Sequence, residues 1–379
     1  MIRRPPRSTQ SRSSAASDVY KRQGELYLEY HRGTFTTQAK NKRNNRQSEL
    51  ALRDAECLSA LCLALGGLYP QKRINNAWKA ALLNQFHDIL PGSSIAKVYQ
   101  DSSQQYAEVL KAAAEMRDEA ISFYSRKVDT RGDGAPLLIL NTLGWDRREL
   151  AAFTPPPGVR KMKALLAVSP NGQKVPVQAC ADGLCRFLAE VPAVGHAVYH
   201  LRPGKIDAAT ALSVSAQYLE NEYLRLEFDG NGRLQRIYDR KHQREVLAPN
   251  AIGNQFQLFE DKPHGFDAWD VDFFYQDKLL QSDGELVEHK IIERGPVRAA
   301  IRQIRRIGKS RIVQDIVLAA AARRVDFVTA IEWGDEKDVL LKVAFPVAVH
   351  AEKARYEIQF GSCLLYTSDA ADDLLCVDL

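Results

Sequence analysis

The run Leu83-Asn-Gln-Phe-His-Asp-Ile-Leu-Pro-Gly-Ser-Ser94 sets an imidazole beside a carboxylate, at His87 and Asp88. A neutral imidazole is a good metal donor, and an ionised aspartate accepts hydrogen bonds from hydroxyl groups. A second run, Gly24-Glu-Leu-Tyr-Leu-Glu-Tyr-His-Arg-Gly-Thr-Phe-Thr-Thr-Gln-Ala39, crowds Glu29, His31 and Arg32 where an alternating segment leaves at Gly33. Strand ends of this kind carry acid/base and substrate-binding groups, and they also carry ordinary solvated polar residues. A third run, Phe266-Asp-Ala-Trp-Asp-Val-Asp-Phe-Phe-Tyr275, alternates acids with aromatics, a composition suited to gripping a sugar. It reads equally well as a turn around a buried Trp269.

The elements that must position these residues fall into two architectures. Over 46–126 the apolar period is helical. Leu50, Ala55, Leu58, Leu61, Cys62 and Leu65 form a first helix, stopped at Gly66-Gly67. A second is expected over about 72–90, with Ile74, Trp78, Leu82, Phe86 and Ile89 as its buried stripe and Pro91-Gly92 as its end. His87 and Asp88 then lie in its last turn, flanking the stripe, because adjacent helical residues point about 100° apart. Placed there, they also fit a bland reading, a helix-terminal His favoured by the dipole and a solvated Asp. Ser94 is a cap for a third helix carrying Ile95, Val98, Tyr99, Tyr106, Val109, Leu110, Ala113, Met116, Ala120 and Ile121. Three amphipathic helices with short connections make a small bundle.

From about 135 the period changes to two. Pro136–Asn141 is a short apolar run, Leu224, Leu226 and Phe228 alternate with Arg225 and Glu227, and Asp229-Gly-Asn-Gly232 turns the chain toward Leu234. Val297, Ala299 and Ile301 repeat the pattern, as do Val325, Phe327, Thr329, Ile331 and Trp333. No helical pattern intervenes, so 131–362 reads as a large antiparallel β-sandwich, with 203–216 a small, polar connector. The fold class is α+β.

Composition excludes several functions. The chain has 379 residues, 45% hydrophobic and 26% charged, and 52 Lys+Arg against 47 Asp+Glu. No apolar run approaches the roughly 20 residues of a membrane-spanning helix, so no membrane role is expected. Six cysteines are too few for a disulfide scaffold. Cys57 and Cys62 read as core thiols, while Cys180 and Cys185 flank a turn at Asp182-Gly183 and lack zinc-site spacing.

The ends have a different origin. One nucleotide string encoding Ser13–Gln23 gives, on its reverse strand, Cys-Leu-Leu-Tyr-Thr-Ser-Asp-Ala-Ala-Asp followed by Asp or Glu, which is the reading of Cys363–Asp373. Residues 1–23 and 363–379 are therefore read as translated sequencing adapter, with 1–23 disordered, and set aside from fold reasoning. A nucleic-acid-binding arm built on Arg3, Arg4, Arg7 and Arg12 falls with them, and the charge of 24–362 is too small to argue for nucleic acid.

The segments Glu29–Gln38 and Leu83–Ser94, followed by Asn221–Leu234, Leu258–Pro263, Leu340–Pro346 and Tyr356–Gly361, resemble the zinc-dependent retaining α-mannosidases of glycoside hydrolase family thirty-eight. The likeness runs in order through 24–362 and is nearest the bacterial and cytosolic branch. It implies that 24–45 is the end of an N-terminal α/β catalytic domain, of which only the last strand remains, that 46–130 is the three-helix middle domain, and that 131–362 is a truncated sandwich. It implies zinc, or another divalent ion, bound by His87, with Asp88 receiving a substrate hydroxyl. Glu29 is the candidate acid/base, and Arg32, Trp269 and Asp270 are candidate substrate contacts.

In that family the zinc acts as a template for the sugar, and two carboxyl groups about 5 Å apart perform a double displacement. No His-x-Asp motif precedes His87 here, so the nucleophile and three ligands are expected outside this chain, leaving it inactive by itself. The resemblance further implies a mannose-containing oligosaccharide as partner and a cytoplasmic location, with homo-oligomerisation open. A non-catalytic carbohydrate-binding protein built from bundle and sandwich is the competing reading.

Overall fold

The computed structural model describes residues 31–157, 164–206, 211–334, 337–351, 353–358 and 361–366. Residues 1–23, Glu29 and Tyr30 lie outside them. A short 3₁₀ turn, Gly33–Phe35, leads into three helices: α1 (Ala39–Ala64), α2 (Gln71–Leu83) and α3 (Ala96–Ser125). α1 stops where the Gly66 and Gly67 N–H groups bond back to the Leu63 and Cys62 carbonyls, satisfying orphan acceptors of the last turn.

The bundle core is Leu52, Ala55, Ile74, Ala77, Ala81, Val109, Ala113 and Met116. The buried face of α2 is therefore Ile74-Ala77-Ala81, and the expected stripe through Leu82 and Phe86 is corrected: those two side chains are 56% and 53% exposed. Both stripes have helical spacing, and the small alanines win because they allow close packing against α1 and α3. The helix also ends at Leu83 rather than 90, so His87 and Asp88 sit beyond it. Ser94 does not cap α3, whose N-cap is Ile95 without a side-chain bond.

Two β units follow. The first comprises β1 (Ala135–Asn141), β2 (Arg147–Phe153), β3 (Leu165–Val168), β4 (Lys174–Ala179), β5 (Cys185–Val191) and β6 (Gly195–Pro203), in the order β1-β6-β3-β4-β5-β2 around a core of Phe153, Phe187, Val191 and Tyr199. The stretch read as one sandwich thus opens with a sheet that has its own interior. Arg53 and Asp54 of α1 tie the bundle to it through Thr142, at 3.0 Å to its carbonyl and 2.7 Å from its hydroxyl.

The second unit is the sandwich proper. A five-stranded sheet holds β7 (Ser213–Val214), β8 (Tyr218–Glu220), β9 (Leu224–Phe228), β10 (Leu234–Asp239) and β11 (Arg244–Glu245). A three-stranded sheet pairs β12 (Gln255–Glu260) with β13 (Leu279–Ser282) and, later in the chain, β18 (Val339–Ala344). A four-stranded sheet runs β14 (Glu285–Arg294), β15 (Arg298–Ile307), β16 (Ser310–Ala319) and β17 (Val325–Glu332). One face of that last sheet is covered at one end by Leu226, Phe228 and Ile237 and at the other by Phe256 and Leu258. A hairpin of β19 (Lys353–Ile358) and β20 (Gly361–Tyr366) closes the described chain, so Cys363–Tyr366, assigned above to adapter, lie in a strand.

The two β units are joined by hydrogen bonds around a buried ion pair of the second. Arg298 donates to Glu293 at 2.7 and 2.5 Å, and the same carboxylate accepts from the Ala181 backbone N–H at 2.9 Å. Gln178 completes the joint by accepting from the Val297 and Arg298 N–H groups.

Candidate active site

His87 and Asp88 stand on the turn between α2 and α3. Their side chains are 75% and 47% exposed, with His87 Nε2 at 3.4 Å from Asp88 Oδ2, and the His87 ring leans on Phe86 at 4.2 Å between centroids. Both are presented to solvent because the backbone beneath them is held from the other side. The Asp88 carbonyl accepts from Ser94 Oγ at 2.6 Å and Tyr99 Oη at 3.3 Å. The Ile89 carbonyl accepts from Asn41 Nδ2 and Tyr99 Oη, both at 3.2 Å. Lys42 Nζ donates to the carbonyls of Leu90 at 2.8 Å and Pro91 at 3.1 Å. Four consecutive carbonyls that no helix satisfies are thus bonded by side chains of α1, α3 and the turn itself.

Below the turn lies a buried polar layer. Ser102 donates to Asn41 at 2.6 Å, Tyr106 and Gln85 donate to Asn45, and Asn84 donates to Gln105 at 2.7 Å. These residues replace the apolar contacts that the rest of the bundle uses, and their geometry fixes the path of the turn more narrowly than greasy packing would. Burial lifts the Tyr106 phenol to about 12, with the nearby Glu49 charge adding to it.

The segment 31–38 is pinned between this turn and the sandwich. Lys42 Nζ also donates to the Thr37 carbonyl at 2.6 Å. Thr37 packs onto Gly92, where a Cβ would lie 2.6 Å from the Thr37 oxygen and where φ is +102°, so the position admits only glycine without distortion. On its other side Gly33 N–H donates to the Trp269 carbonyl at 2.8 Å, and a Cβ on Gly33 would lie 3.0 Å from the Asp270 backbone. His31 meets Trp269 edge-on at 5.2 Å, with its Nδ1 buried and unbonded among the described residues.

The structure thereby brings Arg32, half-buried at the start of the 3₁₀ turn, together with Trp269 and Asp270 from a loop more than two hundred residues away. Asp270 is 6% exposed and its Oδ1 accepts from the next backbone N–H, Val271, at 2.8 Å, so its carboxylate shapes the loop. Sequence reasoning passed over Asn41 and Lys42, and placed Tyr99 only on an apolar helix stripe, whereas all three bond the carbonyls of the turn. It also passed over Asp261, whose carboxyl is pushed up by burial and by the charges of Asp272, Asp270 and Asp338.

Among the described residues no three His, Cys, Asp or Glu side chains converge as a metal site. The donor chemistry at His87 still fits a divalent ion in part: an exposed imidazole on a rigid turn, with a carboxylate beside it, can supply one or two ligands of a larger set.

The alpha mannosidase middle domain matches residues 29–123, and the C-terminal domain of glycosyl hydrolases family 38 matches residues 219–363. Human alpha-mannosidase 2C1 (Homo sapiens) is 33% identical over 343 residues, covering 89% of this chain and 31% of that protein. The alpha-mannosidase of Saccharomyces cerevisiae is 29% identical over 364 residues, covering 92% of this chain and 29% of that protein. The chain thus spans less than a third of the length of these relatives. The crystal structure of an alpha-mannosidase from Enterococcus faecalis V583 superposes with a TM-score of 0.70 over 89% of this chain and 46% of that one, at 16% identity, so the fold is shared. With a three-helix unit at 39–125 and antiparallel sheets behind it matching these domains in order, the chain belongs to glycosyl hydrolase family 38, of which it carries middle and C-terminal domain sequence.

Proposed function

We propose that the protein hydrolyses terminal α-D-mannosyl residues of oligosaccharides with retention of configuration, and that this chain supplies part of the site while the nucleophile comes from outside the described residues. The observation that carries the reading is the exposed His87–Asp88 pair on a turn whose carbonyls are bonded from behind. His87 would hold a divalent ion such as zinc, for which imidazole is a good donor, and Asp88 would accept a hydrogen bond from a hydroxyl of the sugar. The ion, when bound, supplies a template for vicinal hydroxyl groups and a positive charge beside the reacting ring. Glu29 would serve as acid/base, and Trp269 would give the sugar an apolar face, with the 31–38 segment keeping that loop beside the turn.

The test uses the full-length gene product, with metal content by elemental analysis and kcat/KM on an aryl α-mannoside. His87→Ala should lose zinc and more than about a hundredfold in activity, beyond what loss of an outer-shell partner costs. Asp88→Asn should retain zinc and lose about ten- to a hundredfold, the worth of one charged hydrogen bond. Stoichiometric zinc in His87→Ala would overturn the ligand assignment.

A further inference from the structure

A second concave site lies where the two β units diverge. The outer faces of β2–β5 and of β15–β17 open from the joint at Glu293–Arg298 into a cleft of about 730 Å³. Register places Arg148, Leu150, Arg186 and Leu188 on one wall, because Leu150 pairs with Leu188 while the alternate residues Phe187 and Ala189 point to the core. Val317 and Ala319 line the other wall, and the β16–β17 turn brings Arg323 and Arg324 to the rim. None of this belongs to the His87 turn or to the 31–38 junction.

The charges of the cleft are not equivalent. Arg186 and Arg298, only 14% and 15% exposed, are committed to Asp182 and Glu293. Arg148–Glu190 and Arg324–Asp326 are surface pairs, with every side chain at least 45% exposed, and Glu149, the one other carboxylate of the lining among the described residues, is held by Arg147 outside the cleft lining. Such pairs contribute about 0–1 kcal/mol, so an incoming anion can take over their guanidinium groups at little cost. Arg323 stacks on the Tyr223 ring at 4.8 Å and has no ion-pair partner among the described residues. Stacking holds a guanidinium plane by its face and leaves its N–H edge for a bidentate acceptor.

We propose that this cleft binds a phosphorylated small molecule, with the phosphate on Arg323 and its rim neighbours Arg148 and Arg324, and a sugar-sized body against Leu150, Leu188 and Val317. A planar guanidinium fork matches phosphate oxygens in pairs. The volume lies in the range of small-molecule sites and far exceeds that of the anion alone, and Leu150, Leu188, Val317 and Ala319 give the walls apolar patches among the charged groups. The reading stands apart from the assignment of His87 and does not depend on it.

Calorimetric titration of the 379-residue chain with a hexose 6-phosphate, the free hexose and inorganic phosphate tests it. The hexose phosphate should bind, inorganic phosphate more weakly, and the free hexose not at all. Arg323→Ala should weaken hexose phosphate about ten- to a hundredfold with an unchanged melting temperature in the absence of ligand. Arg323→Lys, which keeps charge and loses the fork, should fall between. Arg131→Ala, outside the cleft, should bind as the parent does. Equal binding of hexose and hexose phosphate would overturn the anion site. Equal binding of phosphate and hexose phosphate would overturn the organic body. Unchanged affinity in Arg323→Ala would overturn the whole proposal.

Discussion

Replacing Lys42 by Met should loosen the turn that displays His87 while leaving the rest of the bundle intact. The ammonium donates to three carbonyls, of Thr37, Leu90 and Pro91, at 2.6, 2.8 and 3.1 Å. It therefore joins the 31–38 segment to the far side of the turn, beside the packing of Thr37 on Gly92. A hydrogen bond from a charged donor contributes about 1.5–3 kcal/mol. Three on one ammonium share one charge, and burial works against that charge by pushing the amine below its usual range. Water can also reach part of the site once the side chain is gone. The net loss is then about 3 kcal/mol rather than three full bonds.

At about 2–4 °C per kcal/mol, that is a fall of about 6–12 °C in Tm. Methionine keeps most of the aliphatic stem, so the change isolates the ammonium from the packing of its methylenes. The local readout is sharper. Amide exchange at Leu90 and Gly92 should accelerate on the order of a hundredfold, the ratio that corresponds to about 3 kcal/mol of opening free energy. Exposed Lys40→Met on the same helix is the control and should stay within about 0.5 kcal/mol of the parent. If Lys42→Met melts with the parent, or exchanges at the parent rate around Leu90, the turn is held by something other than this ammonium and the account of its rigidity fails.

Two further perturbations act elsewhere. Glu293→Ala leaves Arg298, only 15% exposed, without its carboxylate and the Ala181 N–H without an acceptor, so urea unfolding should show a loss of about 3–5 kcal/mol; Glu293→Gln should cost less because its amide oxygen still accepts from Ala181, and equal losses would refute the contribution of that hydrogen bond. Asp261 is raised above 3.8 in the folded protein by burial and by Asp272, Asp270 and Asp338, so the folded state holds its proton more tightly and stability falls as pH rises from that value. Asp261→Asn should therefore raise Tm at neutral pH, with the advantage vanishing below pH 3.8, and a pH-independent difference between the two melts would contradict it.

Much of the architecture was legible because it rests on periodicity. The switch from a helical to a two-residue period near 135 separates α3 from β1, and the turn at 229–232 falls between β9 and β10 as its residue types require. Of the stripe expected on the third helix, Tyr106, Val109, Ala113, Met116 and Ala120 are buried, while Ile95, at the N-cap, is 72% exposed. The misreadings arose where two patterns shared one spacing. The expected stripe Ile74-Trp78-Leu82-Phe86 and the observed Ile74-Ala77-Ala81 share Ile74 and repeat every three to four residues, and hydrophobicity alone favours the larger side chains. Packing favours the smaller, because alanines let α2 approach the helices on either side.

That substitution of one stripe for the other changes what the His-Asp pair is. On a continuous helix to residue 90, Phe86 would be buried and His87 and Asp88 would diverge on either flank of it. With the helix ending at Leu83, Phe86 turns outward and the two polar side chains face each other at 3.4 Å. The signal for this lay in polar residues that a hydrophobic reading discounts: Asn41, Lys42, Asn45, Asn84 and Tyr99 are where the bundle stops packing and starts bonding backbone. The junction of Gly33 with Trp269 was beyond any local pattern, since it joins segments from opposite ends of the fold through one N–H and a missing Cβ. A site assembled in this way is carried by carbonyls and by what holds them, and its tolerance to substitution should follow those bonds more closely than it follows distance from His87.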